Sequence, residues 1–155
     1  MTTNTLYLED FQIGQKFTSS TYTIDEKSIQ EFANKFDPQP FHTNIESAKD
    51  SFFKGLVASG WHTAGIAMRL LVDSDLKPEG GLIGAGIEQL SWPIPVYPGD
   101  ELSLGIEVID VRRSISKPEK GIVKIKILTK NQNNQVVMGY VVALVVKSSD
   151  AEKLK

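Results

Sequence analysis

Two hydrophobic periods divide the chain. Up to about residue 73 apolar positions recur three and four apart, the spacing of helices, and from residue 82 onward they form short continuous or alternating runs separated by turn residues, the pattern of strands. Thr23-Ile24-Asp25-Glu26 reads as a capping box, with Glu three residues after Thr, and predicts a helix behind it. Ile29, Phe32, Ala33 and Phe36 form that helix's apolar stripe, and Pro38 ends it because the residue before a proline is steered out of helical geometry. A second box, Thr43-Asn44-Ile45-Glu46, predicts a short helix to about Asp50.

A third helix is expected near residues 57–73, with Trp61, Ala64, Gly65, Met68, Leu71 and Val72 facing the core. A glycine inside a helix costs roughly 1 kcal/mol against alanine, so Gly60 and Gly65 point to close approach of another backbone or of a ligand. Strands are predicted at 82–91, 100–111, 121–130 and 135–147, with an earlier one at 16–23. Val123, Ile125 and Ile127 face inward and Lys124 and Lys126 outward, while Asn131-Gln132-Asn133-Asn134 turns the chain. The connections are too short for crossovers, so neighbours should be antiparallel. One buried helix and about five antiparallel strands bury each other only if the sheet curls around the helix, a single α+β domain over residues 8–147, with a polar tail at 148–155 expected to fray.

Composition narrows the function. The 155 residues are 41% hydrophobic and 23% charged, ordinary for one globular domain with its own core. Zero cysteines exclude thiolate chemistry, and with only His42 and His62 as imidazoles no metal site is expected. Lys plus Arg number 17 against 19 Asp plus Glu, a net charge of −2, so nucleic acid is not an expected partner. The first ten residues lack the basic and apolar regions of a secretory leader, and the apolar run at 136–146 is a buried strand too short to span a bilayer. The expected setting is cytoplasmic, without membrane contact.

Chemistry concentrates in Phe36-Asp37-Pro38-Gln39-Pro40-Phe41-His42. Positions five apart point about 140° away from each other on a helix and to opposite faces of a strand, so Asp37 and His42 converge only on a bend. The two prolines stiffen that bend and are expected to exclude helix from it. Phe36, Phe41, Phe52 and Phe53 are expected to enclose the acid and move its pKa toward the range useful for proton transfer. The plainer reading has Asp37 and His42 only capping the junction between two helices.

Gly55-Leu56-Val57-Ala58-Ser59-Gly60 opens the long helix, whose first amides lack intrahelical partners, so Gly60 could offer its N–H to a carbonyl oxygen gaining charge. Tight packing is the other explanation of that glycine. Ser59 is no hydrolase nucleophile, because the elbow motif needs glycine where Val57 stands. His62 reads as a histidine satisfied by a neighbour. Arg69, Arg112 and Arg113 read as solvated surface.

Asp37-Pro38-Gln39-Pro40-Phe41-His42, followed by Gly55 to Gly60 and by Tyr97-Pro98-Gly99-Asp100, resembles the MaoC-like dehydratases, the R-specific enoyl-CoA hydratase group, over roughly residues 8–146. The group's motif is Asp-x-Asn-Pro-x-His, and Gln39 replaces its Asn. The resemblance implies a hot-dog fold, reversible addition of water to a trans-2-enoyl thioester giving the R-3-hydroxyacyl product, Asp37 and His42 as the catalytic pair with Asp37 the base, and the Gly60 amide as oxyanion donor. Ser59, where many relatives carry His, falls in the substrate-binding set, and Trp61 stands where a smaller apolar residue is common. Coenzyme A or an acyl carrier enters as part of the substrate, with no separate cofactor, and a homodimer is implied. A hot-dog acyl-CoA thioesterase and a non-catalytic acyl-thioester-binding partner subunit are the alternatives.

Overall fold

The computed structural model describes residues 4–150. Six strands, β1 (Lys16–Thr18), β2 (Tyr22–Thr23), β3 (Gly84–Ser91), β4 (Glu101–Arg113), β5 (Lys120–Lys130) and β6 (Val136–Lys147), form one sheet in the order β1-β4-β5-β6-β3, with β2 also on β4. All these pairings are antiparallel. The early strand expected at 16–23 is thus two short pieces, both paired with β4.

The sheet follows its sequence pattern closely. Along β4 the side chains of Leu102, Leu104, Ile106 and Val108 are buried, and along β5 those of Val123, Ile125 and Ile127, while Lys124 and Lys126 lie between them on the outer face. Ile125 stands opposite Val108 on one side and Val142 on the other, so the inner faces of three strands form one apolar surface.

Four helices precede or cross that surface: α1 (Glu26–Phe36), α2 (Pro40–Thr43), α3 (Ile45–Lys49) and α4 (Gly60–Val72). Asp25, not Thr23, caps α1, accepting from the Ser28 amide at 2.8 Å, because Ile24 is pinned in extended form by bonds to Asp100 and Gly99. Asn44, not Thr43, caps α3 for a similar reason: Thr43 already closes α2.

The long helix corrects two expectations. It begins at Gly60 rather than near 57, since the amides of Val57 and Ala58 are taken by the carbonyls of Phe41 and Val96. Its buried face is His62, Thr63, Ile66, Ala67, Leu70 and Leu71. Most of the face expected inside, Trp61, Gly65, Met68 and Val72, looks outward, with Trp61 60% exposed.

The end of the sheet is also tied down. Ser148 was expected to fray but is buried, and its hydroxyl donates to Glu9, whose carboxylate also accepts from Arg113 at 2.5 Å and from the Ser149 amide at 2.9 Å. The rest of the expected tail, residues 151–155, lies outside the described residues. No helix among the described residues is long and apolar enough to cross a membrane.

Candidate active site

The bend carrying Asp37 and His42 is built by its prolines, though not as an unbroken loop. Asp37 ends α1, its N–H on the Ala33 carbonyl at 2.8 Å, and Pro38 forbids a further turn. The Gln39 amide then donates back to the Asp37 carbonyl at 2.8 Å, and Pro40 starts α2 at its first position, where a missing N–H costs nothing. Helix was expected to be excluded here. Instead one proline stops a helix and the other starts the next, and the change of axis brings the two side chains together.

His42 Nε2 lies 3.3 Å from Asp37 Oδ2. Its Nδ1 is 2.6 Å from the Val57 carbonyl, which can only accept, so Nδ1 carries a proton and Nε2 is the nitrogen turned to the acid. The ring is buried and stands edge-on to Phe41 at 4.5 Å. On the other carboxylate oxygen, the Gln39 side-chain amide donates to Oδ1 at 2.5 Å.

The acid's environment differs from the expected aromatic box. Phe36 and Phe52 are 70% and 91% exposed, and among those four phenylalanines Phe41, Phe52 and Phe53 line the cavity in front of the pair. Burial still pushes the Asp37 pKa up, but hydrogen bonds from Gln39 and Ser59 and the charge of His42 outweigh it, leaving the carboxyl below its ordinary value. The expected upward shift is therefore reversed, and the Asp37 carboxyl favours its ionised form.

That cavity measures about 340 Å³ and is lined by Asp37, His42, Gly60 and Thr63 together, with Trp61, Trp92 and Val137 among its apolar and aromatic walls. Gly60 is the first residue of α4. Ser59 caps the helix: its hydroxyl accepts from Trp61 N–H at 3.3 Å and its carbonyl from the His62 and Thr63 amides at 3.0 and 3.1 Å. The Gly60 amide is given no acceptor by the described residues. Ser59 itself is fully buried behind the cavity wall rather than on it.

The model of the MaoC-like domain family matches residues 10–131, most of the chain. The chain belongs to this family. The MaoC-like domain is 31% identical over 140 residues to YdeM, an uncharacterised protein of Bacillus subtilis, covering 90% of this chain and 98% of that one. It superposes on a MaoC-like dehydratase from Rhodospirillum rubrum with a TM-score of 0.89 and 46% identity, covering 92% and 97% of the two chains. The R-hydratase PhaJ1 from Pseudomonas aeruginosa shares the fold at a TM-score of 0.75 and 23% identity, covering 94% and 88%. The curled sheet around α4 is accordingly the hot-dog fold of this family.

The other sequence candidates lie elsewhere in the MaoC-like domain. His62 is buried under α1, stacked on Phe32 at 4.8 Å and 7°, and its Nδ1 has no partner, so it is packed but not satisfied. Arg69 pairs with Asp73, Arg112 with Asp110 and Arg113 with Glu9, which removes them as a ready phosphate cluster. Among the described residues no group of three His, Asp or Glu could hold a metal ion. Two contributors had no sequence signal. The Val57 carbonyl is backbone, and Trp92, whose indole touches Gly60, lies 32 residues away along the chain.

Proposed function

We propose that this MaoC-like domain adds water reversibly across the 2,3 double bond of a trans-2-enoyl thioester, giving the R-3-hydroxyacyl thioester. The observation that carries the reading is the 3.3 Å approach of His42 Nε2 to Asp37 Oδ2 on the wall of a cavity that also holds the unpartnered Gly60 amide.

Two groups at that separation can hold one water between them, each within hydrogen-bond reach. Asp37, kept ionised, takes a proton as the water oxygen bonds to C3. Electrons move from the double bond toward the thioester carbonyl, whose oxygen gains charge as an enolate and is met by the Gly60 N–H at the positive end of α4. The pair then returns the proton to C2 through Nε2, and the enolate collapses to the product thioester. Water supplies one hydroxyl and one proton, so Asp37 and His42 finish as they began. Because both groups sit on one wall, both additions fall on the same face of the double bond.

The walls suit an acyl group rather than a polar metabolite, and the carrier, coenzyme A or an acyl carrier protein, stays outside the 340 Å³ cavity. A second copy of the chain is the partner that fits the outward apolar side of α4 and the edge strand β3, where Met68, Val72 and Ile87 are exposed and Met68 lines one groove with Val72 and another with Ile87. The activity is tested by following enoyl-thioester absorbance while free thiol is measured in the same samples. Loss of absorbance without thiol supports hydration, and release of thiol replaces it with thioester hydrolysis.

A further inference from the structure

The indole of Trp92, in the segment between β3 and β4, grips the first turn of α4 in two ways. Its Nε1–H donates to the Gly60 carbonyl at 3.0 Å. Its ring also occupies the space that a β-carbon on residue 60 would need, since that carbon would stand 2.7 Å from Cε2, 2.9 Å from Nε1 and 3.0 Å from Cδ2. Trp61 stands edge-on to the same indole, with ring centroids 5.2 Å apart and planes at 80°.

Glycine is required at position 60 by this close approach, and glycine brings a cost. Without a β-carbon the Gly60 backbone rotates more freely than that of other residues, so the N–H of this cavity-lining residue is not held by its own side chain. The cap does not hold it either: Ser59 binds the amides of Trp61, His62 and Thr63 and leaves that of Gly60 free. A donor contributes to catalysis to the extent that it is aimed before charge develops. The only side chain bonded to Gly60 among the described residues is Trp92.

We infer that Trp92 is a positioning residue for the oxyanion amide: by fixing the Gly60 carbonyl and filling the space beside its α-carbon, it holds the Gly60 N–H aimed into the cavity. This rests on the hydratase reading above. It also accounts for a bulky tryptophan between the end of β3 and Pro93 on a partly exposed rim, where the indole nitrogen is spent on backbone rather than on solvent.

The test is Trp92→Phe, which keeps an aromatic ring and deletes the donor. The expected result is a kcat lower by at least about tenfold with KM within about twofold, an unchanged pH profile, and faster hydrogen exchange at the Gly60 amide while the rest of α4 keeps its protection. A double-mutant cycle supplies the second arm. Gly60→Ala should lose most activity in the native background and at least about fivefold less in Trp92→Ala, where the obstructing ring is gone. The inference is overturned if Trp92→Phe keeps kcat within about twofold, if its loss appears wholly in KM, or if Gly60→Ala costs the same in both backgrounds. If the native protein hydrates no enoyl thioester, the proposed function falls first and this role falls with it, a pattern distinct from an active enzyme indifferent to Trp92.

Discussion

The carbonyl of Val57 accepts from His42 Nδ1 at 2.6 Å, a contact between α2 and the extended segment that leads into α4. It orients the imidazole with Nε2 toward Asp37, and it ties the bend that carries the pair to the same stretch of chain that delivers Gly60. The acid–imidazole pair and the Gly60 amide proposed as oxyanion donor are therefore positioned by one short piece of backbone.

Gln39 sets the acid end of the pH profile. Its amide donates to Asp37 Oδ1 at 2.5 Å and helps hold the carboxyl below its ordinary value, so activity should persist below the pH at which an ordinary aspartate protonates. Gln39→Leu removes a donor that lowers this pKa, and the acid limb of kcat/KM should move to higher pH. Gln39→Asn keeps an amide and should retain activity to within about tenfold, or about 1.4 kcal/mol of barrier. An acid limb unmoved in Gln39→Leu would show that the bond does not tune the base.

Glu9 clasps the two ends of the domain. Burial raises its pKa, but hydrogen bonds from Ser148 and Ser149 prevail and hold it at about 2. A carboxylate depressed on folding stabilises above its unfolded value and loses that contribution as pH falls through the folded one. Glu9→Gln should therefore lower stability at neutral pH by on the order of 1 kcal/mol, with native and variant denaturation midpoints converging as pH drops from about 4.5 toward 2.

His62 acts in the opposite direction. Burial lowers its pKa, with Asp25 partly opposing, and Nδ1 has no acceptor. The unfolded chain then binds this proton more readily than the folded one, so stability is lost as pH falls from about 6.5 toward the folded pKa and is level below it. In His62→Leu that decline should disappear from thermal melts taken across the same range. A decline of equal size in the variant would assign it to other groups.

Gly121 is packed against the Arg112 carbonyl and the Leu8 side chain with no room for a β-carbon. Gly121→Ala should cost about 1–3 kcal/mol in urea denaturation. Gly65→Ala meets nothing within 4 Å and should be neutral or stabilising, so equal effects at the two sites would contradict the packing described.

Much of this molecule was legible before its structure. The alternation of β5, the stripe that buries Ile29 and Ala33, and the proline-flanked acid and imidazole each follow from local rules, and the resemblance to MaoC-like dehydratases agreed with the family match. The face of α4 was not legible. Its residues are apolar nearly all round, so periodicity does not choose a side, and the sheet takes Ile66 and Leu70 while Met68 and Val72 are left outward. The direction of the Asp37 shift was missed because two of the four phenylalanines expected to enclose it are open to solvent, whereas Gln39 and Ser59 bond the carboxylate. The grip of Trp92 on Gly60 joins residues with no sequence relationship.

The central claim is tested most directly by hydration of short and medium trans-2-enoyl-CoA substrates, comparing the native protein with folded Asp37→Asn and His42→Ala variants. The native protein should remove enoyl absorbance without releasing thiol, and each variant should fall by at least about a hundredfold in kcat. Variants that hydrate as fast as the native protein would contradict the account, because the 3.3 Å pair would then be a structural junction and not the catalytic centre.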